Sequence, residues 1–302
     1  MMVTAGVARE PDVDPDCSDR LLYSFRGSPG DLPILFSVMG RSRQTSWRNG
    51  QGRQMSSLIV GATGATGQLL VRELLGRGQQ VTAVARTPSK LGEETLRDPN
   101  LSVIQASISE MSERDLADLV SGCDAAASCL GHNLTFKGIF GPPRKLVTDA
   151  TRRICEALRE RARHSPAKFV LMNTTGNSNR DLTEEISFAQ KGVILLLRAL
   201  LPPHVDNEQA ADYLRLEVGQ EDPRLGWVAV RPDGLVDEDH VSEYSPHPSP
   251  IRSAIFDAGE TSRINVAHFM ADLITDARLW SRWKGQMPVI YNESAAQADA
   301  ES

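Results

Sequence analysis

The chain of 302 residues is short of several things, and each absence narrows what it can be. Cysteine is scarce: Cys17, Cys123, Cys129 and Cys155 are the four, and no two form a C-x-x-C pair. A cysteine metal site is therefore not expected, nor a metal of any other kind. The thiols read as reduced groups of an intracellular, cytoplasmic protein. Long apolar runs are missing too. The longest, Val193–Leu197, stops at Arg198, whereas a bilayer span takes about 20 residues, so no membrane partner is expected. Excess basic charge is absent: Lys and Arg total 33 against 39 Asp and Glu, a net charge of −6. A general nucleic-acid binder carries a basic surface, so no nucleic-acid partner is expected either. There is no internal repeat.

Regular patterning is missing from the first 54 residues, which mix Pro, Gly, Ser, Asp and Arg with no helical or strand period. Their only apolar patch is Leu32-Pro-Ile-Leu-Phe36. Glu10, Asp12, Asp14, Asp16 and Asp19 argue against an organelle transit peptide, and no charged-then-apolar-then-cleavage pattern suggests secretion. Residues 1–54 read as a disordered extension and 294–302 as a disordered tail. Met55 is the expected start of the functional protein, and residues 55–293 the folded domain.

What is present from Ser56 onward is alternation. Apolar strands are expected at Leu58–Val60, Val81–Ala85, Leu101–Gln105, Asp124–Cys129, Lys168–Met172, Trp227–Arg231 and Pro288–Tyr291. Between them fall helices at Gln68–Gly76, Ser112–Ser121, Arg144–Arg163, Ser187–Leu201, Asn207–Val218 and Val266–Asp276, the second with Ser112 as its cap. Strands alternating with helices imply an α/β fold with a Rossmann-like, doubly wound parallel sheet. The Ser187–Leu201 helix is apolar nearly all round, which suits burial in the core or a homodimer interface.

The chemistry-bearing motif is Gly61-Ala-Thr-Gly64-Ala65-Thr-Gly67, set between an apolar strand and an amphipathic helix. A phosphate there must approach backbone N–H groups at a helix N-terminus, and side chains would block it. Gly61 permits the turn, Gly64 admits the pyrophosphate, and Gly67 lets helix and strand pack; Thr63 and Thr66 add hydroxyls. The next strand ends at Arg86, with Lys90 close by, where an acid would select NAD by its ribose hydroxyl. A guanidinium suits a 2′-phosphate instead, so NADP(H) is expected over NAD(H). Ligands bind beyond the carboxyl ends of parallel strands, which puts His132, Asn133 and Lys137 beside the crevice as candidate substrate contacts or as a structural loop. With the polar run Asn173–Arg180, they suggest a polar or acidic substrate.

Taken together, Gly61–Gly67, Val84-Ala-Arg86-Thr-Pro-Ser-Lys90, Gly122-Cys-Asp-Ala125 and Trp227-Val-Ala-Val-Arg-Pro232 resemble the atypical short-chain dehydrogenases/reductases, in particular their NmrA-like, NAD(P)H-binding branch. The resemblance spans roughly Ser56 to Tyr291. It implies a small C-terminal substrate-binding cap and a small-molecule substrate. It places Leu130 and Gly131 under the cofactor ribose, and Asn173 with Thr174 and Thr175 at the nicotinamide. An Asp that usually follows the third strand is replaced by Gln105-Ala-Ser107.

In the family a Ser or Thr after the fifth strand works with a Tyr-x-x-x-Lys on the next helix. Thr174 or Thr175 fits the first part, and the second is missing. The Tyr and Lys positions fall near His204 and Glu208, while Tyr213 has no lysine four residues on. Two readings of His204 stand: a general acid, or a surface loop histidine after Pro202-Pro203. His247, in the proline-rich Tyr244–Pro250, either lines the pocket or sits in a rigid surface loop. The expected function is an NADP(H)-dependent oxidoreductase of a small carbonyl or enone. The alternatives are a non-catalytic NADP(H) sensor with a regulatory protein partner, or a redox-neutral isomerase or epimerase.

Overall fold

The computed structural model describes residues 54–132, 141, 143–160, 165–182, 184, 192–193, 198, 201–253 and 256–293, all within one compact unit. The extension up to residue 53, Asn133, Lys137, most of Ser187–Leu201 and the tail lie outside the described residues.

The sheet begins with β1 (Ser56–Val60), β2 (Gln80–Ala85) and β3 (Leu101–Gln105), and continues with β4 (Ala125–Ser128), β5 (Ala167–Met172) and β6 (Leu225–Pro232). Two short strands, β7 (Gly234–Val236) and β9 (Glu260–Ser262), pair with each other; β8 (Tyr244–His247) and β10 (Val289–Asn292) rejoin the main sheet. The eight-stranded order is β3-β2-β1-β4-β5-β6-β10-β8. Every pairing in it is parallel except β10 with β8, which is antiparallel at the edge. The proline-rich segment read as a loop is thus partly an edge strand. Pro246 and Pro248 do not exclude that, because one side of an edge strand needs no backbone donor.

Helices α1 (Ala65–Gly76), α2 (Glu93–Leu96), α3 (Glu113–Ser121), α4 (Leu146–Glu160), α5 (Pro202–Tyr213), α6 (Arg263–Thr275) and α7 (Ala277–Trp283) cover the sheet. Ser112 caps α3 by accepting from the Asp115 amide, as its spacing predicted. The core joins Ile59, Leu70, Leu74, Val81, Val170, Val228, Phe269 and Trp283. Full burial of each large apolar side chain favours the fold by about 1.5–3 kcal/mol. The middle strand β4 is Ala-Ala-Ala-Ser, buried throughout, and its small side chains let the covering helices come close.

One expectation fails at α5. Its predicted start at Asn207 is five residues late, because Pro202 and Pro203 occupy the first helical positions. There a missing N–H costs nothing and a fixed φ helps. Beyond Tyr213 the helix widens into a π turn, Leu214–Val218, closed by the Gly219 amide on the Leu214 carbonyl at 3.0 Å.

The chain runs β1-β2-β3 outward on one side and resumes with β4 on the other side of β1. That reversal opens a crevice at the carboxyl ends of β1 and β4, where doubly wound sheets bind ligands.

Candidate functional site

Backbone closeness builds the first wall of the crevice. Gly61 has φ +73°, and a Cβ on it would lie 2.5 Å from the Cys129 carbonyl carbon and oxygen and 2.7 Å from the Leu130 nitrogen. The loop after β4 is therefore pressed against the loop after β1, and no side chain fits between them. A Cβ on Gly67 would lie 2.1 Å from the Gly61 carbonyl oxygen, so the first turn of α1 is pressed onto the same strand end. The Gly64 amide donates to the Gly61 carbonyl at 2.9 Å and closes the turn.

Helix α1 has neither a side-chain cap nor an acid in its first turn. Its opening N–H groups and positive dipole end are left to an anion. Gly64 and Ala65 are exposed there, Thr63 is half-buried and Thr66 buried. Arg86 stands exposed at the end of β2, and Lys90 is exposed in the turn Pro88–Leu91. The open loop and the start of α1 suit an anionic group, and Arg86 and Lys90 add exposed positive charge beyond β2.

The second wall lies beyond β5. The Asn173 side chain is committed to the framework: its amide donates to the Asn207 carbonyl at 3.1 Å, and its oxygen accepts from the Thr174 amide and from Asn177. Thr175 is buried and donates its hydroxyl to Asp233 at 3.0 Å. Thr174 is half-buried, and its Oγ1 accepts from the Gly176 amide at 3.3 Å. Gly176 packs beside both Thr174 and His204: a Cβ on it would come 3.4 Å from His204 Cε1 and 3.7 Å from Thr174 Oγ1.

His204 is no surface loop histidine. It sits in the first turn of α5, its side chain is 10% exposed, and its buried Nε2 has no hydrogen-bond partner among the described residues. Glu208, one turn on, lies 3.6 Å from that nitrogen and is gripped at both carboxylate oxygens by Arg198. Burial lowers the imidazole below its ordinary value of 6.5, against a smaller upward pull from Glu208, and Arg198 lowers it further.

A second histidine stands at the end of β4. His132 Nε2 lies 2.8 Å from Asp206 Oδ2, and both side chains are nearly sealed from solvent. Asp206 also accepts from the Val147 and Thr148 amides at 2.8 and 2.9 Å, so it caps α4 from outside that helix. A carboxylate holding two backbone donors receives the imidazole N–H as its third. Sequence reasoning missed both Asp206 and the pairing of Glu208 with His204. The i, i+4 spacing of His204 and Glu208 was the available signal.

Several other candidates are packing groups. Burial pushes the Cys129 thiol up to about 12 and Cys155 well above its ordinary value. Tyr213 is buried, its hydroxyl raised by burial, with Arg152 over its ring. His247 bonds Ser245 at 3.0 Å on the edge strand, away from the glycine loop in the strand order. Among the described residues no group of three or more His, Cys, Asp or Glu side chains is placed to hold a metal ion, and no helix is long and apolar enough to cross a membrane.

The model of a family described as NAD(P)H-binding matches residues 61–277, most of the chain and all of both walls. The chain belongs to the NAD(P)H-binding family. One relative, the chloroplastic divinyl chlorophyllide a 8-vinyl-reductase of Arabidopsis thaliana, is 34% identical over 93 residues, or 28% of this chain and 22% of that protein. The chain thus matches less than a quarter of that relative's length. Among solved structures, a wide-type short-chain dehydrogenase/reductase from Veillonella parvula in complex with NADP is 15% identical, with TM-score 0.57 over 80% of this chain and 95% of that one. An anaerobillin reductase from Escherichia coli O157:H7 is 16% identical, with TM-score 0.56 over 79% and 98%. At such identities the two structures share the NAD(P)H-binding fold, and the expected Rossmann-like sheet is borne out.

Proposed function

We propose that the protein is an NADP(H)-dependent oxidoreductase that reduces a small conjugated carbonyl or enone. The observation that carries this reading is His204: a nine-tenths buried imidazole whose Nε2 has no hydrogen-bond partner among the described residues, with its Cε1–Nδ1 edge on Gly176, beside the Thr174 hydroxyl. A buried polar group without a partner costs about 1–3 kcal/mol, and a ligand that accepts from it relieves that cost. The relatives named above are, by name, reductases acting on a vinyl group and on anaerobillin, which favours the enone over an isolated carbonyl.

Gly61, Gly64, Ala65 and Gly67, with the opening amides of α1 and the Thr63 hydroxyl, would hold the diphosphate. Thr66 is buried and lines the loop from beneath. Leu130 and Gly131 would border the ribose, and Asn173 would shape the nicotinamide end through its backbone. Arg86, exposed and without a carboxylate partner among the described residues, would take the 2′-phosphate, with Lys90 behind it. When bound, the cofactor supplies hydride. Thr174 orients the substrate oxygen by hydrogen bonding. His204 would deliver the proton, and Glu208, 3.6 Å from its Nε2, would hold its ring. Thr175 keeps the loop in place through Asp233, and His132, bonded to Asp206, holds the wall of the crevice.

The missing Tyr-x-x-x-Lys favours a second reading, a non-catalytic NADP(H) sensor that signals to a protein partner. A panel of carbonyls and enones with NADPH separates the two. Net oxidation of NADPH with any of them supports the enzyme; NADPH binding with no oxidation across the panel supports the sensor. A cytoplasmic location belongs to the same proposal, and a plastid signal from a fluorescent fusion of the whole chain would contradict it.

A further inference from the structure

At the end of β6, Arg231 is completely buried, and its five N–H donors meet five acceptors. Nε donates to the Met287 carbonyl at 2.6 Å, and Nη1 to the Asn177 carbonyl at 2.8 Å and to Glu184 Oε2 at 3.2 Å. Nη2 donates to Glu184 Oε1 at 2.7 Å and to the Pro248 carbonyl at 3.4 Å. Glu184 is 4% exposed and also accepts from the Asn179 amide at 2.9 Å. One guanidinium therefore joins the run after β5 to the segment after β8 and to the stretch leading into β10.

Buried ion pairs are weak stabilisers, because desolvation of both charges offsets their attraction, and apolar groups of equal size often serve stability as well. What a planar five-donor group adds is geometry: each acceptor is fixed in direction as well as distance. The acceptors held here flank the second wall of the crevice. Asn177 is one residue beyond Gly176, which packs on His204, and the Asn177 amide donates back to the Thr174 carbonyl at 3.1 Å.

We propose that Arg231, paired with Glu184, is the positioning residue that holds the Thr174–Asn179 run against His204 and so sets the substrate side of the crevice. This rests on the reading of Thr174 and His204 given above. Arg231 touches neither of them; it acts through the Asn177 carbonyl and, by way of Glu184, through the Asn179 amide. Lysine cannot replace it, since an ammonium offers three donors and no fork.

The test compares Arg231→Met and Glu184→Gln with the wild-type chain, by NADPH affinity, by turnover on whichever enone the panel yields, and by NMR titration of the His204 imidazole. Glu184→Gln retains one acceptor and the side-chain shape, and carries the test if Arg231→Met does not fold. The expected result is NADPH affinity within about twofold of wild type, turnover lower by about a hundredfold, as for a misplacement of about 1 Å, and a His204 titration moved up toward 6.5. That upward move follows from loosening the run that buries His204, while the charged groups facing the ring, Glu208 and Arg198, stay in place. An unchanged His204 titration in a folded variant that binds NADPH would overturn the proposal, whatever the turnover. Failure of the wild-type protein to bind NADPH would instead overturn the functional reading itself.

Discussion

Helix α5 meets two histidines, and they are kept in opposite ways. His132 is bonded to Asp206, a carboxylate that also serves two backbone amides of α4. The His204 side chain is 10% exposed, yet among the described residues its Nε2 has no hydrogen-bond partner, and Glu208, 3.6 Å away, is turned mainly to Arg198. Among the described residues the first ring is hydrogen-bonded and the second has only a distant carboxylate. A buried polar atom is rarely left without a hydrogen bond for no reason, and this one lies in the first turn of α5, on a ring packed beside Gly176 and Thr174. The contrast teaches that, of two similar pairs, the incompletely satisfied one is the candidate for chemistry, and the satisfied one holds the wall.

That contrast can be broken from either side. The largest expected effect is on stability: Asp206→Ala leaves two helix amides and an imidazole without their shared acceptor and should cost about 3 kcal/mol in urea unfolding. A cost near zero would mean Asp206 is not the tie the geometry describes. Next is His204→Gln, which should lower kcat on an enone by about a hundredfold, the low end for a general acid, with NADPH affinity and urea midpoint near wild type. Full turnover in that variant would leave Thr174 and water as the proton path.

The smallest effect is a pH dependence. Burial lowers the His204 pKa from 6.5, so in the window between the lowered value and 6.5 the unfolded chain binds more protons than the folded one. Stability should rise with pH across that window and level off above it. His204→Gln should flatten this component of the curve, and an identical curve for the variant would contradict the burial-driven shift.

Much of this was legible in the residues. The glycine loop and the strand–helix alternation fix the sheet and the first wall, because phosphate cradling depends on where side chains are absent, and glycines show that directly. The cap of α3 was legible for the same local reason. The second wall was only half legible. Thr174 and His204 were found through the family's spacing, whereas Pro202-Pro203 suggested a loop, because the same two residues also begin helices. Asp206 and Glu184 stayed hidden: they act on His132, Val147 and Arg231, contacts 47 to 74 residues away that no local pattern encodes. Thr175 and Asn173 show the converse, since their residue types suit a site while their side chains are spent on Asp233, Asn207 and Asn177.

The measurement that bears most directly on the account is a fluorescence titration of the whole chain and of Gly67→Ala with NADPH and then NADH. A Cβ at Gly67 would sit 2.1 Å from the Gly61 carbonyl oxygen, so the variant cannot keep the loop closed. The account predicts that the wild-type chain binds NADPH at least about tenfold more tightly than NADH, the Arg86 contribution being on the order of 1.4 kcal/mol, and that Gly67→Ala binds neither. Binding of neither cofactor by the wild-type chain, or undiminished binding by Gly67→Ala, would contradict it.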